Sequence, residues 1–549
     1  MKRKLFSILT LALTLMLVLG VGTVSAEGED DWPMFHHDIA LTGYTTSDMP
    51  STNATAWIYD TGSVIYSSPA IVNGKLYIGA IDGNVYALNT NSGSLAWAYN
   101  TGSPIRSSPA VSNGIVYILA EDGVLYAIDA DTGVLDWNQF VGNGPWDWSS
   151  PAVNNDYVVV ASSNGYVHRF EATTGTANWS TYIGGTPDSP ISIANGKVYS
   201  GTHNFDNTSP TLVALDEETG AIIWTYDYSL YHGGVTGMVN SNGATVADSD
   251  EDGNLEVYFG VYNWGGSDNQ TVCLDEATGT ELWTADVEGN STSTPAIHDG
   301  VVFIGSDSGK LYALDAETGT EKWSYQTGGQ VWSAPAVADG MVVFGSLDHT
   351  LYALDEEDGS LIWSYYTGAS RMLGSPAVAG GMVFTGNENG NVYAFYPVTA
   401  TKVLESYKDA DGDGLIEVGE DTTFVLTVTI TNNDGEYPIT DLTVKDRLGG
   451  DLEVVDPGSF TVSGPPGKNQ KNKTGKVFLT WEIESLAPGE SISTTIIVST
   501  DINPGGHQEY TSAGIHCLNS GVNVKGTFLG SQISNTSDSI MVEVIEPVE

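Results

Sequence analysis

The chain has 549 residues, with 19 Lys and Arg against 68 Asp and Glu, and a formal net charge of −49. Acidic residues are ordinary in number for this length, and the scarcity of Lys and Arg sets the balance. Such a surface repels phosphate backbones, which excludes nucleic-acid binding, and suits a salty or cation-rich exterior where self-repulsion is screened.

Residues 1–26 read as a secretory signal. Lys2-Arg3-Lys4 is the charged start, Leu5 to Val24 the apolar run, and Val24-Ser25-Ala26 a small-residue cleavage site. The apolar run is long, so an uncleaved anchor is the rival reading. No Cys follows it, as a lipoprotein would require. No second apolar stretch of spanning length exists, so no transmembrane span is expected in the mature chain. Cleavage removes three basic residues and no acidic one, leaving 16 against 68 and a net charge of −52. The expected location is secreted, extracellular or at the cell surface of a bacterial or archaeal envelope. Seven N-x-S/T sequons, at Asn53, Asn178, Asn207, Asn269, Asn290, Asn472 and Asn535, are compatible with a glycosylated surface and with chance alike.

Residues 27–398 carry a repeat. Trp57, Trp97, Trp137, Trp179, Trp224, Trp283, Trp323 and Trp363 stand 40, 40, 42, 45, 59, 40 and 40 residues apart. A period of about 40–45 residues built from short strands indicates a radial array of four-stranded blades. The cleanest copy, Thr292 to Trp323, alternates strands rich in Val, Ile, Tyr and Ala with turns carrying Gly beside Asp, Asn or Ser. Ten residues before most of the tryptophans stands a small residue: Ala87, Ala127, Ala214, Cys273, Ala313 and Ala353. It is expected to let an indole from a neighbouring blade approach the backbone. Eight before stands Asp or a relative (Asn89, Asp129, Glu171, Asp216, Asp275, Asp315, Asp355). Four before stands Gly93, Gly133, Gly175, Gly220, Gly279, Gly319 or Gly359, where the turn needs positive φ.

The eighth copy, residues 374–398, supplies three strands and stops. Leu404 sits where its Trp should be and Tyr396 where its Asp should be. Residues Ala54 to Tyr59 offer the missing strand at the other end. The expectation is eight blades, the last shared by both ends of residues 27–398, with no long edge left unpaired. An open solenoid is the rival, but it would leave Trp57 without a blade.

The pattern A-x-D-x-x-T-G-x-x-x-W resembles the tryptophan-docking motif of the pyrroloquinoline-quinone (PQQ) repeat family. The stretch WPMFHHD from Trp32 to Asp38, with Gly43, resembles that family's lead-in. The resemblance covers residues 31–398 and implies the β-propeller of quinoprotein alcohol dehydrogenases and of BamB-type outer-membrane assembly lipoproteins. It speaks for fold more than function, since one fold hosts many activities. In the family's dehydrogenases, PQQ lies over the axis between a Trp and a disulfide of adjacent cysteines. A Glu and an Asn hold calcium beside it, and an Asp acts as base. Here the cysteines are Cys273 and Cys517 alone, and no matching Glu, Asn and Asp set stands out, so PQQ is not expected. A Cys273–Cys517 disulfide would have to join two domains.

Two acidic loops are candidate calcium sites. Asp248, Asp250, Asp252 and Glu256, in D-x-D-x-D-G-x-x-E, resemble the calcium loops of FG-GAP-type propeller blades. Asp409, Asp411, Asp413, Leu415, Glu417 and Glu420 belong to a complete D-x-D-x-D-G-x5-E loop. Alternate carboxylates converge on a hard cation there, the Leu415 carbonyl contributes, and Glu420 closes the site with two oxygens. A solvated acidic loop is the rival in both cases. Residues 399–420 read as a calcium-loop junction. Residues 421–549 follow as a second domain of alternating strands, such as Thr423 to Thr431 and Ser491 to Ser499, predicted to be an Ig-like β-sandwich. VLTVTITNNDG followed by APGES resembles the DUF11-type domains of surface proteins, which implies a spacer or adhesive module.

The segments leading into the innermost strands carry Tyr66, Arg106, Trp146, Trp148, His232, Trp332, Arg371 and Met372. Tyr66, Arg106, Trp148, His232, Trp332 and Arg371 form the candidate ligand-binding set at one channel mouth. Aromatics with a few cations suit a peptide, a sugar or a partner loop, and simple plugging of the channel is the rival. His36 and His37 are expected to pack in the lead-in. The fold class is therefore all-β. The functional expectation is a non-catalytic, calcium-stabilised scaffold that binds an envelope or extracellular protein or glycan. The alternative is an extracellular quinoprotein-type dehydrogenase or carbohydrate-active enzyme.

Overall fold

The computed structural model describes residues 31–395 apart from 51, 52, 54, 143–148, 188, 205–210, 232–238, 242, 250–252, 264–269, 292 and 369. Beyond residue 395 it describes mainly the strands between Val398 and Val544. Blade 1 shows the plan of the repeat. Ala70–Val72, Lys75–Gly79, Asn84–Asn89 and Leu95–Asn100 form a four-stranded antiparallel sheet in sequence order. Its inner strands are covered on both faces by neighbouring blades, and their buried positions, Ala70–Val72, residues 76–79 and residues 85–88, are apolar or aromatic. Its outermost strand alternates exposed and half-buried positions, the period of two that a strand with one wet face requires.

Seven blades follow this order, over residues 70–100, 110–140, 152–182, 192–226, 245–286, 296–326 and 336–366. The eighth is composite. Ala377–Ala379, Met382–Gly386 and Asn391–Phe395 supply three strands, and Thr55–Asp60 pairs antiparallel with the last of them, Trp57 opposite Ala394. The ring is an eight-bladed propeller closed by its own first strand. The long step between Trp224 and Trp283 comes from an excursion. Within blade 4, His203–Asn204 pairs with Val239–Ser241, which in turn pairs with Glu256–Asn263 of blade 5.

The tryptophans join the blades. Trp97 Nε1–H donates to Ala130 O of the next blade at 2.9 Å. The bond recurs from Trp57 to Thr90, Trp137 to Ala172, Trp179 to Glu217, Trp224 to Glu276, Trp283 to Ala316 and Trp323 to Glu356, at 2.5–3.1 Å. The indole lies on the next blade's turn glycine: a Cβ on Gly133, at φ +71°, would sit 2.7 Å from Trp97 Cδ2. Each such seam contributes about 2–3 kcal/mol of apolar contact.

The small residue has a different role from the one expected. Ala87 lies in register between Tyr77 and Trp97 of its own blade, and the two rings meet 5.8 Å apart. Its missing bulk makes room within the blade, and glycine makes room between blades. Blade 3 departs from this plan. Arg169 takes the small position, 9% exposed, with its guanidinium 4.1 Å from the Tyr157 ring centroid. The last indole also departs, because the eighth copy has no docking turn. Trp363 Nε1 instead donates to Pro50 O in the lead-in, 2.7 Å away.

From Val398 onward the strands build two antiparallel sheets. One runs Val398–Lys408, Thr423–Asn432, Ser491–Ser499, Glu453–Asp456. The other is centred on Val477–Leu486, Ile439–Leu448 and Gly514–Phe528. Val398–Lys408 pairs with Thr423–Asn432, so the candidate loop of residues 409–420 connects two paired strands. Among the described residues no helix is long and apolar enough to cross a membrane.

Candidate functional site

The approach to each innermost strand alternates. Ile65, Ile105, Val331 and Met372 are fully buried. Each presses on the glycine that ends a neighbouring second strand; a Cβ on Gly79 would lie 2.3 Å from Ile105 Cγ2, and one on Gly345 would lie 2.7 Å from Met372 Cβ. Met372 is therefore a core residue and leaves the mouth set. One residue after Ile65, Ile105 and Val331 come Tyr66, Arg106 and Trp332, directed to the mouth by the same alternation.

The mouth residues are held by acids from a single turn position. The Arg106 guanidinium lies 4.8 Å from the Tyr66 ring centroid and ion-pairs with Glu121. Trp332, 39% exposed, donates its indole N–H to Asp307 Oδ1 at 2.6 Å. Arg371 faces Glu388 at 3.9 Å. Glu121, Asp307 and Glu388 occupy equivalent turns between second and third strands. Their N–H groups donate to Pro104, Asn290 and Arg371 carbonyls in the approach segments. The turn thus sets the acid, and the acid sets the cation or indole. Partly exposed pairs of this kind add about 0–1 kcal/mol each, so their effect is orientation more than stability. Trp146, Trp148 and His232 lie outside the described residues.

The channel is occupied at the level of the innermost strands. The lead-in crosses it while bonding blade after blade. Trp32 pairs with Ile71, Val111 N–H donates to Pro33 O, and Ile193 N–H to Ile39 O. Val246 N–H then donates to Ala40 O, Ile297 N–H to Thr42 O, and Val337 N–H to Gly43 O. Asp31 Oδ1 accepts from Asn73 N–H in the turn beyond the strand, so the lead-in fills the side away from the Tyr66 mouth. His36 is buried inside it, Nδ1 2.7 Å from Leu41 O and Nε2 2.8 Å from Pro335 O. Burial pushes its pKa down against those carbonyls, which raise it.

Paired serines in blades 1 to 3, unassigned from the sequence, set this geometry, with one serine kept in several other copies. In the Ser-Ser-Pro-Ala stretch the first hydroxyl accepts from the second strand, as Ser67 Oγ does from Gly79 N–H at 3.1 Å. The second bridges blades. Ser375 N–H donates to Ser68 Oγ, Ser68 N–H to Ser108 Oγ and Ser108 N–H to Ser150 Oγ, all at 2.9 Å. The repetition of SSPA was the available signal; which neighbour each hydroxyl meets was not.

Of the first acidic loop, the two ends are described. Asp248 Oδ2 accepts from Gly253 N–H at 3.1 Å, with Gly253 at φ +90°. Glu256 is 8% exposed, and its Oε2 accepts from Ser249 N–H and Oγ–H at 3.3 Å. Asp248 and the Ser249 that bonds to Glu256 are neighbours in sequence, and the carboxylate oxygens of Asp248 and Glu256 are of the kind that suit a hard cation. Asp250 and Asp252 lie outside the described residues, as do Asp409, Asp411, Asp413, Leu415, Glu417 and Glu420. Among the described residues no group of three or more His, Cys, Asp or Glu forms a metal cluster. Cys273 is buried in register between Tyr258 and Trp283. The chain's cysteines, Cys273 and Cys517, are not adjacent, so the cysteine pair that the family resemblance implies for a PQQ site is absent from the sequence.

The repeats match the family model described as outer membrane protein assembly factor BamB, over residues 46–146, 141–260 and 268–413. These spans cover more than half of the chain. The chain belongs to this family. Comparison with curated proteins finds no match. Among solved structures it is similar to a europium-containing methanol dehydrogenase, at 16% identity and a TM-score of 0.55, covering 66% of this chain and 91% of that one. It is also similar to the quinohemoprotein alcohol dehydrogenase of Comamonas testosteroni, at 17% identity and a TM-score of 0.56, covering 69% and 83%. A third, the computationally designed Ika8 protein, has 18% identity and a TM-score of 0.51, covering 64% and 99%. At these identities the likenesses show the fold alone.

Proposed function

We propose that the protein is a secreted or cell-surface, non-catalytic propeller scaffold that binds a protein or ligand in the cell envelope. Ca2+ is structural in it and PQQ has no part. Residues 421–549 act as an Ig-like, DUF11-type spacer. One observation carries the reading: the lead-in fills one side of the channel, while the other mouth presents Trp332, Tyr66, Arg106 and Arg371 on a rigid ring. Pre-set aromatics beside paired charges favour recognition, because little side-chain freedom remains to be lost on binding. The family's description as an assembly factor supports the same direction.

A second reading, an extracellular quinoprotein-type dehydrogenase or carbohydrate-active enzyme, draws on the fold likeness to the two alcohol dehydrogenases. Reconstitution with PQQ and calcium separates the two. Assayed with alcohols and sugars and an artificial electron acceptor, the protein is expected to show no turnover. PQQ-dependent dye reduction would overturn the scaffold reading.

A further inference from the structure

Where the third strand of a blade starts, it faces the end of the fourth, and four of the eight blades place polar pairs there, while three others pair Val124 with Phe140, Leu212 with Tyr226 and Thr350 with Tyr366. Asn84 faces Asn100 and bonds to it at 2.9 Å; Gln270 faces Asp286 at 3.0 Å; Lys310 faces Gln326, and Asn391 faces Asp60. Blade 3 places Tyr166 opposite Tyr182. The two rings lie 5.2 Å apart at 58° and are 38% and 61% exposed.

They cap a column that runs into the blade. Tyr166 stacks on His168 at 5.9 Å, His168 on Phe170 at 6.0 Å, and Phe170 meets Trp137 at 6.5 Å. His168 is fixed between Ser180 Oγ, 2.8 Å from Nδ1, and Ser162 Oγ, 3.3 Å from Nε2. Burial pushes its pKa down to about 4, so the column is uncharged at neutral pH. Tyr182 rests on Gly165, where a Cβ would stand 2.6 Å from its ring. The exposed rings are therefore backed by packed residues.

The two hairpin segments that carry the tyrosines are low in charge, with exposed Glu171 bonded to Asn178 as the nearest acid in their sequence. Residues 157–168 and 172–187, which include both tyrosines, contain no Asp, Glu, Lys or Arg, in a chain with 68 acids. They offer Ser, Thr and Asn instead. A sugar ring presents C–H groups that fit an aromatic face and hydroxyls that match those side chains. We infer that the Tyr166–Tyr182 edge of blade 3 is a binding site for a neutral sugar residue of a glycan. It is separate from the channel mouth and stands or falls independently of it.

The test is titration of the full chain with cellohexaose, N-acetylated chitohexaose and mannohexaose, followed by tyrosine fluorescence and calorimetry, with hyaluronan as an anionic comparison. At least one neutral oligosaccharide is expected to bind, with affinity unchanged in molar salt. Tyr182→Ala is expected to weaken it about tenfold or more and Tyr182→Phe to retain it, while Tyr366→Ala, at the equivalent strand end of blade 7, leaves it unaltered. The melting temperature of Tyr182→Ala should match the wild type, because that ring is mostly exposed. The inference is overturned if none of the three binds at about 10 mM, if the double variant Tyr166→Ala, Tyr182→Ala still binds, or if salt abolishes binding.

Discussion

Gly319→Ala and Gly340→Ala place the same methyl at the same backbone angle, φ +70° in both cases, in two different surroundings. At Gly340 nothing lies within 4 Å of the added carbon; at Gly319 it would stand 2.6 Å from Trp283 Cε3 and 2.9 Å from Cδ2. The left-handed angle alone costs about 1 kcal/mol. At Gly319 the indole must also shift, which strains its 2.8 Å bond to Ala316 O. Overpacking adds about 1–3 kcal/mol and a weakened hydrogen bond about 1 kcal/mol. Gly319→Ala should therefore destabilise by about 3–5 kcal/mol and Gly340→Ala by about 1 kcal/mol. The assay is thermal unfolding of the full chain by tryptophan fluorescence, where the two midpoints should differ by about 5 °C. A ring can unfold in stages, so amide exchange around residues 316–323 serves as the local readout. Equal midpoints and equal exchange for the two variants would refute the glycine–indole seam.

Three further outcomes follow from the same geometry. Deleting residues 27–60 removes the closing strand and the Pro50 carbonyl that holds Trp363, so the melting temperature should fall sharply; a truncated chain that melts like the mature protein would contradict the closure. Calcium at about 100 times its dissociation constant should stabilise by about 2.7 kcal/mol a loop that binds only when folded. Slower proteolysis near residues 405–422 should accompany it and disappear in Asp411→Ala, Glu420→Ala; identical cleavage with calcium and chelator would refute a metal there. His168 has its folded pKa lowered from 6.5 to about 4 by burial, so the unfolded chain takes up the proton first. Stability should decline as pH falls from about 6.5 toward 4, and His168→Gln should flatten that decline; an unchanged pH profile would count against it.

The ring was legible because its period is covalent. The eight tryptophans, the turn glycines and the three-strand eighth copy specify blade number and closure without knowledge of any contact. Contacts between blades were not legible. Whether Ala87 or Gly133 receives the Trp97 indole depends on which face of a strand meets which neighbour, and a repeat aligned with itself cannot show that. Residues 31–50 have no period at all, so their path across the channel, and the docking of Trp363 on Pro50, emerge only in three dimensions. At the mouth, Arg106 and Trp332 could be read as approach residues, but Met372 could not be told from them. Its burial follows from the phase of alternation set by Ile65 and Ile105. The partner acids Glu121, Asp307 and Glu388 were missed because they come from a separate turn about 15–25 residues away, a distance the fold closes but the spacing rules for local pairs do not reach.

The most direct measurement is affinity capture from native envelope extract in millimolar calcium, comparing the wild-type chain with Trp332→Ala, Arg371→Ala. The wild type should retain a defined envelope protein or glycan that the double variant loses, while both melt at the same temperature. Identical capture by the two would contradict recognition through the open mouth of the ring.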